Sequence, residues 1–285
     1  MKFEQIETLN SYLKENNYNW KAEQHIVVKP EKTFMSYLIK YDDETQNMYP
    51  TVYHDERIEK MSIPEFADYI EHIILASPKH INIEKLLTKD MIAENVLPRF
   101  VNSSHVENLE KNGTFYNVWC DLLIIYYVEV IENATVTITK SLIDHMNMED
   151  FDFHTQAIKN LEDKTTIQNM EKVLMEMTGK IEDMPEDLME NVTFPPMYVA
   201  TNTNKLYGAP VVLTKKFAAT VKELIGEKAF ILPSSIHEVI VIPADEERLD
   251  EATEMIREVN RTNLLPEEIL SDHPYIFNRG LISMP

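Results

Sequence analysis

The chain has 285 residues, enough for one large domain or two modest ones, and its 44% hydrophobic and 9% aromatic content excludes a disordered polypeptide. Lys and Arg number 27 against 48 Asp and Glu, a net charge of −21, which disfavours binding to a phosphate backbone or an anionic membrane; it reads first as solubility, with attraction of a basic protein or mimicry of nucleic acid as the alternatives. With only 5 glycines, at 113, 179, 208, 226 and 280, no GxGxxG, GxxxxGK[ST] or GxSxG motif can be written, so nucleotide-loop enzymes and α/β-hydrolases are poorly supported.

Apolar residues at Phe3, Ile6, Leu9 and Leu13 predict a helix over 3–16, and its acids argue against a signal peptide. HIVVK, FMSYLIKY and YPTVYH then predict a small antiparallel meander, with DDETQN as a polar turn. IPEFADYIEHIILA reads as a helix with Ser62 as N-cap, Pro64 in its first turn, an apolar face of Phe66, Tyr69, Ile70, Ile73 and Ile74, and a stop at Pro78. A short helix is expected around INIEKLL, and ENVLPRFVN is strand-like, Pro98 pointing to an edge or a bulge. SSHVENLEKNG predicts a serine-capped helix ended by Gly113. FYNVWCDLLIIYYVEV is one long strand or a pair. Asp121 and Glu129 interrupt its apolar run, so it is core rather than a membrane span, and ENATVTITK is its hairpin partner.

Residues 141–191 change character to helical, methionine-rich and acidic, with 13 acids against 4 lysines between Asp144 and Glu190. Helix-spaced Met170, Val173, Leu174 and Met177 read as core, and Pro185 marks a linker or lid. MYVATN opens the last unit as a strand. A helix follows within APVVLTKKFAATVKELIG, then strands KAFILP and HEVIVIP, the helix DEERLDEATEMIREVNRT capped by Asp245, and a short terminal strand YIF. The class is α+β, with mixed or antiparallel sheets, packed helices and a C-terminal β-α-β-β-α unit. Three regions are expected: an N-terminal α+β region over 1–140, the acidic segment over 141–193 and the C-terminal unit over 194–285, the whole being compatible with one continuous domain.

MYVATN and YGAPVVL, AFILPSSIHEVIVIP, MIREVNRT and EEILSDHPYIFNR follow YPTVYHDE, LPRFVN and WCDLLIIYYV. Together, in this order, they resemble an uncharacterised Firmicutes family of gut Clostridia and their mobile elements, known only as domain of unknown function 5688. The likeness covers most of the chain and is most specific in the C-terminal third, which is also distantly similar to another uncharacterised family from bacilli. The family more often has Pro-His before its Asp-Leu pair, where this chain reads FYNVWC, so no role for that histidine carries over. The resemblance brings no reaction with it. It implies a bacterial or phage protein of the cytoplasm, in keeping with a lone cysteine, Cys120, which excludes an internal disulfide framework and is expected buried and unreactive in an apolar strand.

The stretch ILPSSIHEVIVIP gathers Ser234, Ser235, His237 and Glu238 at the mouth of an apolar run. A zinc-type HExxH is excluded because residue 241 is Val. On a strand His237 and Glu238 would face opposite sides, so the favoured reading is a turn in which the serines satisfy backbone groups and His237 or Glu238 anchors the strand end. The catalytic candidates are Ser235, His237, Glu238 and Asp121, the last needing a partner if it faces the core, for which Arg99 is in place. The binding candidates are Asn202, Asn260, Arg257 and Asp272. Ser271-Asp272-His273 reads as a turn, because sequence neighbours do not converge as a triad. The nine histidines show no tight metal spacing, and neither a metal nor a cofactor is expected. The sequence favours a non-enzymatic protein-binding or regulatory factor with an acidic surface. The alternative is a hydrolase or other small-molecule enzyme with a Ser/His/Glu pocket near 234–238.

Overall fold

Period-two and helical patterns along the chain assemble into an α+β architecture in which every strand pairing is antiparallel among the described residues. The structure is a computed structural model that describes residues 1–29, 32–41, 49–76, 87–131, 134–173 and 196–285. The chain divides into two compact units, Met1–Leu86 and Leu87–Pro285.

In the first unit, α1 (Ile6–Glu15) turns Leu9 and Leu13 inward. Strands β1 (Trp20–Val28), β2 (Thr33–Tyr41) and β3 (Thr51–Tyr53) form a sheet in that order, followed by α2 (Glu56–Lys60) and α3 (Ile63–Ala76). Alternation along the strands sends Trp20, Ala22, Tyr37, Ile39 and Val52 into a core shared with Phe66, Ala67 and Ile70 of α3. Ser62 and Glu65 form a reciprocal cap before α3: the serine hydroxyl accepts from the Glu65 N–H at 3.4 Å and the Glu65 carboxylate accepts from the Ser62 N–H at 2.8 Å. The turn DDETQN, Pro78 and most of INIEKLL lie outside the described residues.

The second unit opens on α4 (Lys89–Asn95), a helix not anticipated from sequence, capped by Thr88, whose side chain accepts from the Met91 N–H. Edge strand β4 (Leu97–Asn102) carries Pro98, and α5 (Val106–Lys111) ends at Gly113 with φ 61°. The cap ahead of α5 is the side chain of Asn102 rather than a serine. The apolar run at 118–131 resolves into a hairpin: β5 (Tyr116–Trp119) turns at Cys120–Asp121 into β6 (Leu122–Ile131), which also pairs with β4 and with β7 (Ala134–Thr137). Strand β6 shows no polar alternation because both its faces are covered. Leu123 and Ile125 pack with Val101 and Leu109, while Leu122, Ile124, Tyr126 and Val128 enter the main core. No helix of the described residues is long and apolar enough to cross a membrane.

After α6 (Lys140–Met146) and α7 (Phe153–Glu162) comes a departure from the expected helical stretch: β8 (Thr165–Asn169) is a strand. Its β-branched Thr165, Thr166 and Ile167 suit a pleated edge, and the open edge of β9 (Tyr198–Asn202) supplies the ladder. Helix α8 (Lys215–Leu224), β10 (Lys228–Pro233), β11 (Val239–Pro243), α9 (Leu249–Thr262), β12 (Tyr275–Asn278) and β13 (Leu281–Ser283) complete the unit, with sheet order β13-β12-β10-β11-β9-β8. Central β10 is buried on both faces. Ala229 and Ile231 enter the main core, whereas Phe230 and Leu232 meet Ala252 and Ile256 of α9.

Several phenols are carried into these cores. Burial, and secondarily the charge of Glu4, pushes Tyr37 up to about 12. Burial also raises Tyr126, whose hydroxyl donates to Asn117 Oδ1 at 2.6 Å and lies 2.9 Å from His154 Nδ1. Because the folded-state value lies above the unfolded one, this contribution is whole below about pH 10 and is lost as pH rises through the window from there to about pH 12. Melting followed by circular dichroism across that window is expected to show a steep fall in Tm, and Tyr37→Phe a shallower one. Equal slopes in the two proteins would refute the assignment.

Candidate functional site

The turn after Pro233 is organised by one hydroxyl. Ser235 Oγ accepts from the His237 N–H at 3.0 Å and donates to Glu238 Oε1 at 2.8 Å, while the Ser235 N–H donates to the Glu238 carbonyl at 3.2 Å. Ser235 is only 3% exposed. Strand β11 starts at Val239, so His237 and Glu238 belong to the turn and the strand alternation does not govern them.

The imidazole of His237 is turned toward a different loop. Asn202, buried at the end of β9, accepts at Oδ1 from the Asn204 N–H (3.0 Å) and the Leu206 N–H (3.4 Å), and its Nδ2 donates to the Leu206 carbonyl at 2.8 Å. This curls the chain through Lys205 and Tyr207 at φ 53° and 52°, the left-handed region, in which a bulky residue is an outlier held by its surroundings. Those surroundings are explicit. The Tyr207 N–H donates to His237 Nδ1 at 3.2 Å, and its ring stacks on the imidazole at 5.6 Å and 12°. The Arg99 guanidinium lies 4.1 Å from the centre of the Tyr207 ring, and Tyr127 meets it edge-on. Thr201 Oγ1 donates to the His237 carbonyl at 2.7 Å. Beside this bond, a Cβ on Gly208 would stand 2.5 Å from the same carbonyl oxygen and 2.7 Å from Asn202 N, so the close approach of loop and turn requires glycine.

Residues 265–274, between α9 and β12, run past both β-sheets and are fastened on each side. The Ile236 N–H donates to the Glu268 carbonyl at 3.1 Å, and Asn102 Nδ2 donates to the Leu270 carbonyl at 2.7 Å. From α9, Asn260 Nδ2 donates to the Ser271 carbonyl at 3.0 Å and to Asp272 Oδ1 at 2.8 Å. Its Oδ1 is buried with no partner among the described residues. His273 Nε2 lies 3.0 Å from Asp121 Oδ2, its Nδ1 lies 3.0 Å from the Pro274 carbonyl oxygen, and the Tyr275 hydroxyl donates to Asp121 Oδ1 at 2.7 Å. Burial and the Asp121 carboxylate both push the Tyr275 phenol upward.

Two readings are corrected here. Asp121 sits in the β5–β6 turn rather than within a strand, and it is held by His273 and Tyr275, whereas Arg99 packs over Tyr207. Cys120 is in the same turn, half-buried with φ 50°, and its thiol is pushed up by burial and by Asp121. At 271–273 the His273 N–H donates to Ser271 Oγ at 3.2 Å, as in the expected turn, and the imidazole meets the Asp121 carboxylate 152 residues away. Tyr207, Glu268 and Tyr275 carried no local signal, because their roles depend on chain segments distant in sequence.

The structure therefore joins Ser235, His237, Glu238 and Asn202 through one turn and one loop, and Asn260 with Asp272. Arg257 stands apart in an exposed pair with Glu254 at 2.8 Å. In the first group the hydroxyl is given to a carboxylate, and an imidazole accepting at Nδ1 carries its neutral-form proton on Nε2, 3.9 Å from Glu268 Oε1. The second imidazole has an oxygen acceptor at each ring nitrogen. Among the described residues no group of three or more His, Cys, Asp or Glu is placed to hold a metal ion.

The model of the Family of unknown function (DUF5688) matches residues 4–279, nearly the full length, and the chain belongs to that family. No curated protein matches, and no solved structure matches.

Two substitutions test this account. Gly208→Ala is expected to cost about 1–3 kcal/mol, read as a lower midpoint in urea, since neither the carbonyl nor the backbone nitrogen can give way cheaply. Asp121→Asn weakens the bond to His273 and is expected to cost about 1–2 kcal/mol, moderated because about a third of the carboxylate side chain is in contact with solvent. An unchanged midpoint for Asp121→Asn would mean that the turn and residues 265–274 are held by something else.

Proposed function

From a family without an assigned activity, we propose that this chain acts by binding another protein and performs no catalysis at residues 234–238. What supports the reading is the direction of one hydrogen bond, from Ser235 to Glu238 at 2.8 Å. A serine nucleophile needs its proton taken by a base with a free lone pair, and the nearby imidazole spends its Nδ1 lone pair on the Tyr207 N–H. With Ser235 closed to solvent, the cluster works as a clamp between loop and strand.

The charge balance favours a basic partner. From Asp245 to Glu258 the chain carries seven acids, Asp245, Glu246, Glu247, Asp250, Glu251, Glu254 and Glu258, against Arg248 and Arg257. Like-signed potential of this kind raises encounter rates with an oppositely charged surface and suppresses anionic competitors.

The test pairs two measurements on the purified chain. Hydrolysis of an activated ester and of an activated amide is expected to stay at the rate of buffer alone, while cross-linking in a lysate of the source organism captures the same discrete protein with wild type and with Ser235→Ala. Ester turnover that vanishes in Ser235→Ala would overturn the reading.

A further inference from the structure

Among the described residues, α9 covers only part of one face of the six-stranded sheet. Phe230 and Leu232 of β10 lie under Ala252 and Ile256, but beside them the apolar strip continues through Ile242. There a cavity of about 240 Å³ is lined by Met197, Phe230, Ile242, Pro243 and Ala244 on the sheet side and by Ala252 and Met255 on the helix, with Asp245, Arg248 and Glu251 at its rim. Met255 is 46% exposed although it stands on the apolar side of the groove. None of the candidate residues at 121, 202, 235–238, 257, 260 or 272 lines it.

Size and charge select the occupant. The volume falls below the roughly 300–1,000 Å³ typical of small-molecule sites, and the walls are apolar, so the groove suits one or two bulky side chains of a polypeptide. The mouth is acidic. Glu247, Asp250 and Glu254 are neighbours of the rim acids in sequence and are exposed, and the rim's one arginine, Arg248, is bonded to Glu251 at 2.8 Å. A second copy of a chain with net charge −21 is repelled by such a rim, whereas lysines or arginines on either side of an apolar anchor are attracted.

We propose that the groove between α9 and the end of β11 docks a partner segment that inserts a bulky aliphatic or aromatic side chain and flanks it with lysine or arginine. This rests on the protein-binding reading and gives it a place and a ligand chemistry. The apolar anchor supplies affinity by burial, and the rim acids supply selectivity and a dependence on salt.

The probes are three short fluorescein-labelled peptides: one with two leucines flanked by lysines, one with alanines in place of the leucines, and one with glutamates in place of the lysines. Fluorescence anisotropy with the full chain is expected to show saturable binding of the first, about tenfold or more weaker binding of the second, and none of the third. The double variant Met197→Gln/Met255→Gln is expected to weaken the first peptide about tenfold. The variant Asp245→Asn/Glu251→Gln is expected to weaken it several-fold at low salt and to flatten its salt dependence. Equal binding of the leucine and alanine peptides, an unchanged affinity in the methionine variant, or no saturable binding would each overturn the proposal. So would dimerisation in sedimentation velocity that the methionine variant abolishes. If that variant still captures the native partner from lysate, the groove is wrong while the protein-binding reading stands. Ester turnover dependent on Ser235 removes the reading itself.

Discussion

Residues 265–274 hold the second unit's architecture in place. They have no ladder of their own, yet their backbone oxygens and side chains are taken by Ile236, Asn102, Asn260 and Asp121, contributed by a turn, an edge strand, a helix and a hairpin. A connection of this kind needs its polar groups satisfied from outside, since a buried orphan costs about as much as a hydrogen bond is worth. Each tie is therefore both a satisfaction of the segment and a cross-brace between the sheet of β6 and the sheet of β10. The unpaired Oδ1 of Asn260 marks the one place where the bracing is incomplete among the described residues.

The same economy explains why polar residues with catalytic reputations gather in these structural bonds. Serine, histidine, aspartate and glutamate are the side chains best able to bond backbone groups and one another at turns, so they collect where strands begin and loops meet. His237 stacks on Tyr207 and accepts its N–H, which holds an aromatic residue at φ 52°. That strain is offset by the Arg99 and Tyr127 contacts on the same ring. None of these residues lines the apolar groove beside α9, whose lining includes Asp245, Arg248 and Glu251.

Strong periodicity was legible without coordinates. The helix at 6–15, the strand at 33–41, the helix at 63–76 and the strand at 228–233 appear with boundaries close to those expected, because each carries one apolar face or an uninterrupted apolar run, whereas β1 begins at Trp20, well before the expected HIVVK. The misses share a cause. Strand β8 sits inside an acidic, helix-like composition, and its pairing depends on the open edge of β9. The helix α4 is too short for periodicity to announce.

By itself the sequence determined the α+β class, the antiparallel N-terminal meander and the hairpin that follows the apolar run, the absence of nucleotide-loop motifs and a net charge of −21, since these follow from residue type and spacing alone. Only the tertiary structure decided the partners: that Asp121 meets His273 and Tyr275, that Ser235 donates to Glu238, and that Tyr207 is wedged between Arg99 and His237. A hydrogen bond acts over about 3 Å while the residues it joins stand up to 168 positions apart. No local pattern encodes which carboxylate an imidazole will find once the sheets have closed.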